Sequence, residues 1–192
     1  MTQIKIGDQF IKALTLANDL HKDQFRKGAN IPYISHPMAV ASLVIENGGT
    51  EEEAIAALLH DAVEDCGGPP ILEKIRQQFG ESVAHIVDGC SEPVTEPEPP
   101  WKERKLAYIA HVKQANPSVR LVSCADKLHN VRSVLFDYRQ QGEKLWDRFN
   151  AGKKESIWFY RTLAKELRAN GERRPILDEL DQAVSDLERI VK

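Results

Sequence analysis

Apolar residues recur at three- and four-residue steps along almost the whole chain, the period of an α-helix that buries one face. Phe10, Ile11, Leu14, Ala17 and Leu20 mark a first helix over roughly 8–23. Residues 24–35 carry Gly28, Asn30 and Pro32 and form a loop. Pro37 predicts the start of a second helix, because proline is accepted at a first helical position, and Gly48-Gly49 ends it. Thr50 to Glu53 places a hydroxyl at a cap and a carboxylate three residues on, which predicts a helix running through AIAALLHDAVED to about Cys66. Gly67 to Pro70 is a break, followed by short helices that stop near Gly80 and about Gly89. Helices resume at Trp101, Ser118, Lys153 and about Pro175. Only Val119 to Ser123 is ambiguous with a strand. The expected class is all-α, without internal repeats.

Residues 91–100 (SEPVTEPEPP) are acidic and proline-rich, and too little chain flanks them for two clean domains. They are expected to form a long surface loop that frames a cleft. One domain over 1–192 follows, with a core over about 8–170 and a C-terminal helix over 175–191. That helix is amphipathic through Ile176, Leu180, Val184, Leu187 and Val191, and fits either the core or a partner. The sequence sets no oligomeric state.

Composition narrows the function. The chain of 192 residues is 42% hydrophobic and 29% charged, so it can bury a core. A net charge of −3 gives no basic field for nucleic acid or an anionic membrane, although a few local cations suffice for a phosphate. No window approaches the roughly 20 apolar residues of a membrane span. Cys66, Cys90 and Cys124 are odd in number and unpaired in spacing, as expected of reduced thiols in a soluble cytoplasmic protein.

Against this background, His60-Asp61-Ala62-Val63-Glu64-Asp65 follows a wholly apolar run. On a helix His60 adjoins Glu64 and Asp61 adjoins Asp65, which gathers an imidazole and three carboxylates with no basic residue close in sequence. Such crowding is costly unless a divalent cation relieves it. A solvated acidic helix face is the ordinary alternative. His36 beside Pro37, and Asp126 four residues before Asn130, are unremarkable alone: a packed histidine and a local helix hydrogen bond would explain them.

Together these residues are specific. His21-x-x-Gln24-x-Arg26-Lys27, then Pro32-Tyr33-x-x-His36-Pro37, then His60-Asp61-x-x-Glu64-Asp65, then Asp126-Lys127-x-His129-Asn130 resemble the HD superfamily of metal-dependent phosphohydrolases. Within it they look like the hydrolase domain of Rel/Spo enzymes and the stand-alone small alarmone hydrolases, over about residues 10–167. The resemblance implies a helical HD-domain bundle with His36, His60, Asp61 and Asp126 as metal ligands, typically for Mn2+. It implies that Glu64 and Asp65 are the acidic pair beside the attacking water, and that Arg26, Lys27 and Asn130 contact a guanine nucleotide. The implied reaction removes the 3′-pyrophosphate of ppGpp or pppGpp. Another phosphorylated nucleotide or dinucleotide as substrate, or a non-catalytic nucleotide sensor, are the alternatives. Lys102, Arg104, Lys105, Lys153 and Lys154 are secondary candidates for phosphate contact. His129 and His21 are expected to support the site by hydrogen bonding or packing, and Trp158, Phe159 and Tyr160 to pack the core, with one of them able to border the base. Cys66, Cys90-Ser91 and the proline-rich loop depart from the family pattern.

Overall fold

The computed structural model describes residues 5–92, 97–169 and 174–192. Among the described residues ten α-helices run in order: α1 (Asp8–His21), α2 (Ser35–Glu46), α3 (Glu51–Leu59), α4 (Ala62–Cys66), α5 (Pro69–Phe79), α6 (Glu81–Cys90), α7 (Trp101–Gln114), α8 (Pro117–Gln141), α9 (Gly152–Arg168) and α10 (Pro175–Ile190). A 3₁₀ segment, Gly142–Arg148, joins α8 to α9. Among the described residues, β-type pairing is confined to one isolated bridge between Phe25 and Pro32. The all-α class expected from the sequence is therefore what the chain adopts. No described helix is long and apolar enough to cross a membrane.

The centre of the bundle is α3. Thr50 starts it with a complete capping box: its hydroxyl accepts from the Glu53 amide, and Glu53 accepts from the Thr50 amide. Every residue from Glu53 to Leu59 is buried, and α1, α2, α6 and α8 pack around it. α8 is equally enclosed, with Val119 to Asp126 buried without interruption. A helix covered on all sides loses its polar stripe, and with it the 3.6-residue signal. For that reason Val119–Ser123 resembles a strand in sequence while lying in the first turns of α8. The close approach of α6 to α8 depends on Gly89, where a Cβ would sit 2.6 Å from a Val119 methyl.

Two expectations are corrected. The helix begun at Thr50 does not run unbroken to Cys66: it stops at Leu59, and His60 and Asp61 form a turn before α4. The backbone stays right-handed and Asp65 N–H still bonds to the Asp61 carbonyl, so the i to i+4 neighbourhood survives the break. The first helix ends at His21 and the second begins at Ser35, two residues before Pro37. The expected long loop over 91–100 falls partly on residues 93–96, which lie outside the described residues.

α10 docks on α8 and α9 of its own chain, burying Ile176, Leu177, Leu180, Ala183, Val184 and Leu187. Arg161 of α9 clamps it through Asp181, Ser185 and Glu188. Truncation of a fully buried leucine leaves a cavity, so Leu187→Ala is expected to destabilise the fold by about 2–5 kcal/mol, read from the urea midpoint. No change in that midpoint would mean that α10 is not docked in solution.

Candidate metal centre

Two helices and one turn meet where the sequence places its histidines and aspartates. His36 lies in the first turn of α2, His60 and Asp61 in the turn after α3, and Asp126 midway along α8. His36, His60 and Asp126 are buried, and each offers a ligand atom within 4.8 Å of the others. His36 Nε2 lies 3.2 Å from Asp126 Oδ1 and 3.3 Å from Asp61 Oδ2. His60 Nε2 lies 3.1 Å from Asp61 Oδ2 and 3.7 Å from Asp126 Oδ1. Asp61 is the most open of the four, with its side chain about 20% exposed.

The tautomers follow from the partners. His60 Nδ1 lies 2.8 Å from the Ala57 carbonyl, which can only accept, so Nδ1 carries a hydrogen and, in the neutral ring, Nε2 offers its lone pair. That buried Nε2 has no hydrogen-bond partner. His36 Nδ1 sits 2.7 Å from His129 Nδ1. Burial first, then the neighbouring His36, hold the His129 imidazole down at about 4. A neutral His129 can accept from His36 Nδ1, which turns the Nε2 lone pair of His36 toward the carboxylates. Two imidazole lone pairs and two carboxylate oxygens converging in this way are a donor set for a divalent cation.

The electrostatics agree with the geometry. Burial opposes charge on His60, yet Asp61 and Asp126 outweigh it and raise its pKa well above the ordinary value. Burial opposes ionisation of Asp61 and Asp126 too. The imidazoles hold Asp61 well below the usual range, and Lys127 together with the imidazoles does the same for Asp126. The four groups thus attract positive charge.

Around them, Tyr33 Oη donates to Asp61 Oδ2 at 2.7 Å, and Asn130 Nδ2 donates to Asp126 Oδ1 at 2.5 Å. Arg26 Nη2 donates to Asn130 Oδ1 at 3.0 Å, so a chain of hydrogen bonds connects the 24–35 loop to Asp126. Glu64 and Asp65 are accessible to solvent. Lost hydration under the surrounding protein raises both carboxyls, with Asp61 adding to the shift of Asp65. Glu64 also accepts from the Glu92 amide.

Two cavities adjoin the centre. One, of about 550 Å³, is lined by Arg26, Lys27, Tyr33, His129, Asn130 and Arg148, among others. The second, of about 270 Å³, includes Trp101, Lys105, Lys127, Asn130 and Phe159 in its wall. Phe149 and Tyr160 border both, Phe159 belongs to the core and borders only the second, and Trp158 carries the Lys102 ammonium on its ring. Lys27 reaches Asn150 Oδ1 at 3.4 Å. Arg104 and Lys105 pair with Glu92, Lys102 with Glu155 and Lys153 with Glu143. Lys153 and Lys154 line a separate shallow hollow with Lys192. His21 Nδ1 faces Gln24 Oε1 at 2.6 Å, and its ring packs near Tyr33.

Sequence reasoning assigned no role to Tyr33, Lys127 or Arg148. The first two lie inside quoted motifs, which is where a signal existed. Arg148 had none, because its place depends on Gly28. There the backbone has a φ of +72°, and a Cβ would lie 2.4 Å from the Arg148 Nε.

A profile of the HD domain matches residues 13–158, and the chain belongs to this family. Among its relatives is the guanosine-3′,5′-bis(diphosphate) 3′-pyrophosphohydrolase MESH1 of Xenopus tropicalis, 37% identical over 127 residues, which are 65% of this chain and 68% of that protein. A Haemophilus influenzae guanosine-3′,5′-bis(diphosphate) 3′-pyrophosphohydrolase is 34% identical over 79% of this chain, but the match spans only 21% of that longer protein. The solved structure of a metazoan ortholog of SpoT superposes with a TM-score of 0.74 at 22% identity, covering 98% of both chains, which establishes the shared fold.

Tyr33→Phe removes the hydroxyl that steadies Asp61 while leaving the ring stacked. It is expected to weaken divalent-metal binding about tenfold, measured by titration calorimetry, with little change in melting temperature. Unaltered affinity would show that Asp61 needs no such support.

Proposed function

We propose that the chain is a divalent-metal-dependent hydrolase that removes the 3′-pyrophosphate of ppGpp or pppGpp, leaving GDP or GTP. The observation that carries this reading is the convergence of His36, His60, Asp61 and Asp126 on the unpartnered, buried His60 Nε2. That donor set stands beside Glu64 and next to a cavity lined by Arg26 and Lys27. The substrate is taken from the activity named for the Xenopus and Haemophilus relatives.

In this reading His36, His60, Asp61 and Asp126 hold the ion, and Mn2+ suits two imidazoles with two carboxylates. When bound, a divalent ion supplies an activated water and an electrophile for a phosphoryl oxygen. The protein does the rest. Glu64, with Asp65 one residue on, orients the water and accepts its proton, for which a carboxyl raised by its surroundings is well matched. Water adds to the phosphorus attached to the ribose 3′ oxygen. That P–O bond breaks, pyrophosphate departs with the water oxygen, and the 3′ oxygen takes up a proton. Arg26 grips a phosphate through two N–H groups or stacks on the base, and Lys27 adds a point charge. Asn130 ties Arg26 to Asp126 and so couples nucleotide contact to the ligand set. The partner is a small guanine nucleotide, and the setting that fits such a substrate is the cytoplasm.

The test is pyrophosphate release from ppGpp by Mn2+-loaded protein, compared with other 3′-phosphorylated nucleotides and dinucleotides. Turnover of ppGpp at a competitive kcat/KM is expected; preference for a different nucleotide would replace the substrate while keeping the chemistry. Asp61→Ala is expected to lose the metal and all turnover. Glu64→Gln is expected to retain the metal while kcat falls about 10²–10⁴-fold, since the base is removed but no ligand is. A Glu64→Gln variant with parental kcat would transfer the role to Asp65.

A further inference from the structure

Asp126 divides its two oxygens between different neighbours. Oδ1 faces the imidazoles, 3.2 Å from His36 Nε2 and 3.7 Å from His60 Nε2, and accepts from Asn130. Oδ2 is turned the other way and is ion-paired with the ammonium of Lys127, the next residue along α8. Lys127 is constrained as well. Its ammonium lies 5.1 Å from the centroid of the buried Tyr108 ring, and its side chain is only 18% exposed. Lys127 also shares the wall of the smaller cavity with Lys105 and Trp101.

We infer that Lys127 is a positioning residue that keeps Asp126 a one-oxygen ligand. A carboxylate with both oxygens free can chelate a divalent ion through the pair. With an ammonium fixed on Oδ2, Asp126 presents Oδ1 alone, and one more coordination position stays open for water or a phosphoryl oxygen. The same ammonium places a fixed positive charge behind the ligand, which lowers the site's affinity for the ion. Lys127 therefore exchanges metal affinity for open coordination. This inference rests on the metal-dependent reading above.

The sign of the effect separates this role from a merely structural one. Lys127→Met removes the charge and keeps much of the stem. It is expected to bind Mn2+ about tenfold more tightly in the absence of nucleotide, while kcat at saturating Mn2+ falls about tenfold. Lys127→Arg, which keeps a cation on Oδ2, is expected to restore parental Mn2+ affinity. A folded Lys127→Met protein with equal or weaker Mn2+ binding overturns the inference, as does an arginine variant that behaves like methionine. Lys127→Gln replaces methionine if that variant does not fold, and loss of the fold in both would itself refute a positioning role. Calorimetric Mn2+ binding needs no substrate, so inactivity of the parent toward ppGpp would sink the proposed substrate without touching this result.

Discussion

Asp61 and Asp126 each turn an oxygen toward the same two imidazole nitrogens, at 3.1–3.7 Å, in a place largely withdrawn from water. Two carboxylates so close repel one another and forgo hydration, and each such group costs several kcal/mol, on the order expected for any buried ion, unless positive charge is supplied. Much of the surrounding structure answers that demand. Lys127 lies on the far oxygen of Asp126, Tyr33 donates to Asp61, Asn130 donates to Asp126, and two histidines have tautomers set by a carbonyl and by a third histidine. What remains unmet is the point at which the four groups converge, and a divalent cation is the natural complement.

The bundle makes this arrangement possible by burying helices that are apolar on every side. α3 delivers His60 to the protein interior because its last seven residues are all covered, and the turn at His60-Asp61 then releases the chain toward solvent. The exposed Glu64 and Asp65 lie one turn beyond. α8 does the same from the other side, carrying Asp126 inside and Asn130 to the cavity wall. The four converging side chains are thus held by enclosed elements, while the cavity-lining residues Arg26 and Lys27 sit on a loop.

Much of this was legible in the sequence, and the exceptions have physical causes. The helical period of α1, the capping box of α3 and the apolar stripe of α10 are local signals, and each corresponds to an element that formed. The first turns of α8 were ambiguous because complete burial erases amphipathicity. The break after Leu59 was invisible because His60 and Asp61 keep a right-handed backbone, so no glycine or proline marks it. At the site, types and spacing alone pointed to the stretch from His60 to Asp65; His36 and Asp126 joined it only through the resemblance to the HD superfamily, and the structure brings His36, His60, Asp61 and Asp126 together. The pairing of His36 with His129, of Tyr33 with Asp61 and of Arg26 with Asn130 depends on three-dimensional approach between segments up to 104 residues apart. No local pattern encodes such approaches.

Gly28 shows what such an approach means for tolerance to change. Its left-handed backbone and the guanidinium of Arg148 leave no room for a side chain. Any replacement must bear the left-handed backbone, which favours glycine and then asparagine or aspartate, and must push the Arg148 side chain aside. Position 28 is therefore selective for backbone reasons, although glycine contributes no functional group. Substitutions at position 28 would probe the fit between two walls of the 550 Å³ cavity, and a smaller residue at 148 would be the place to look for suppressors.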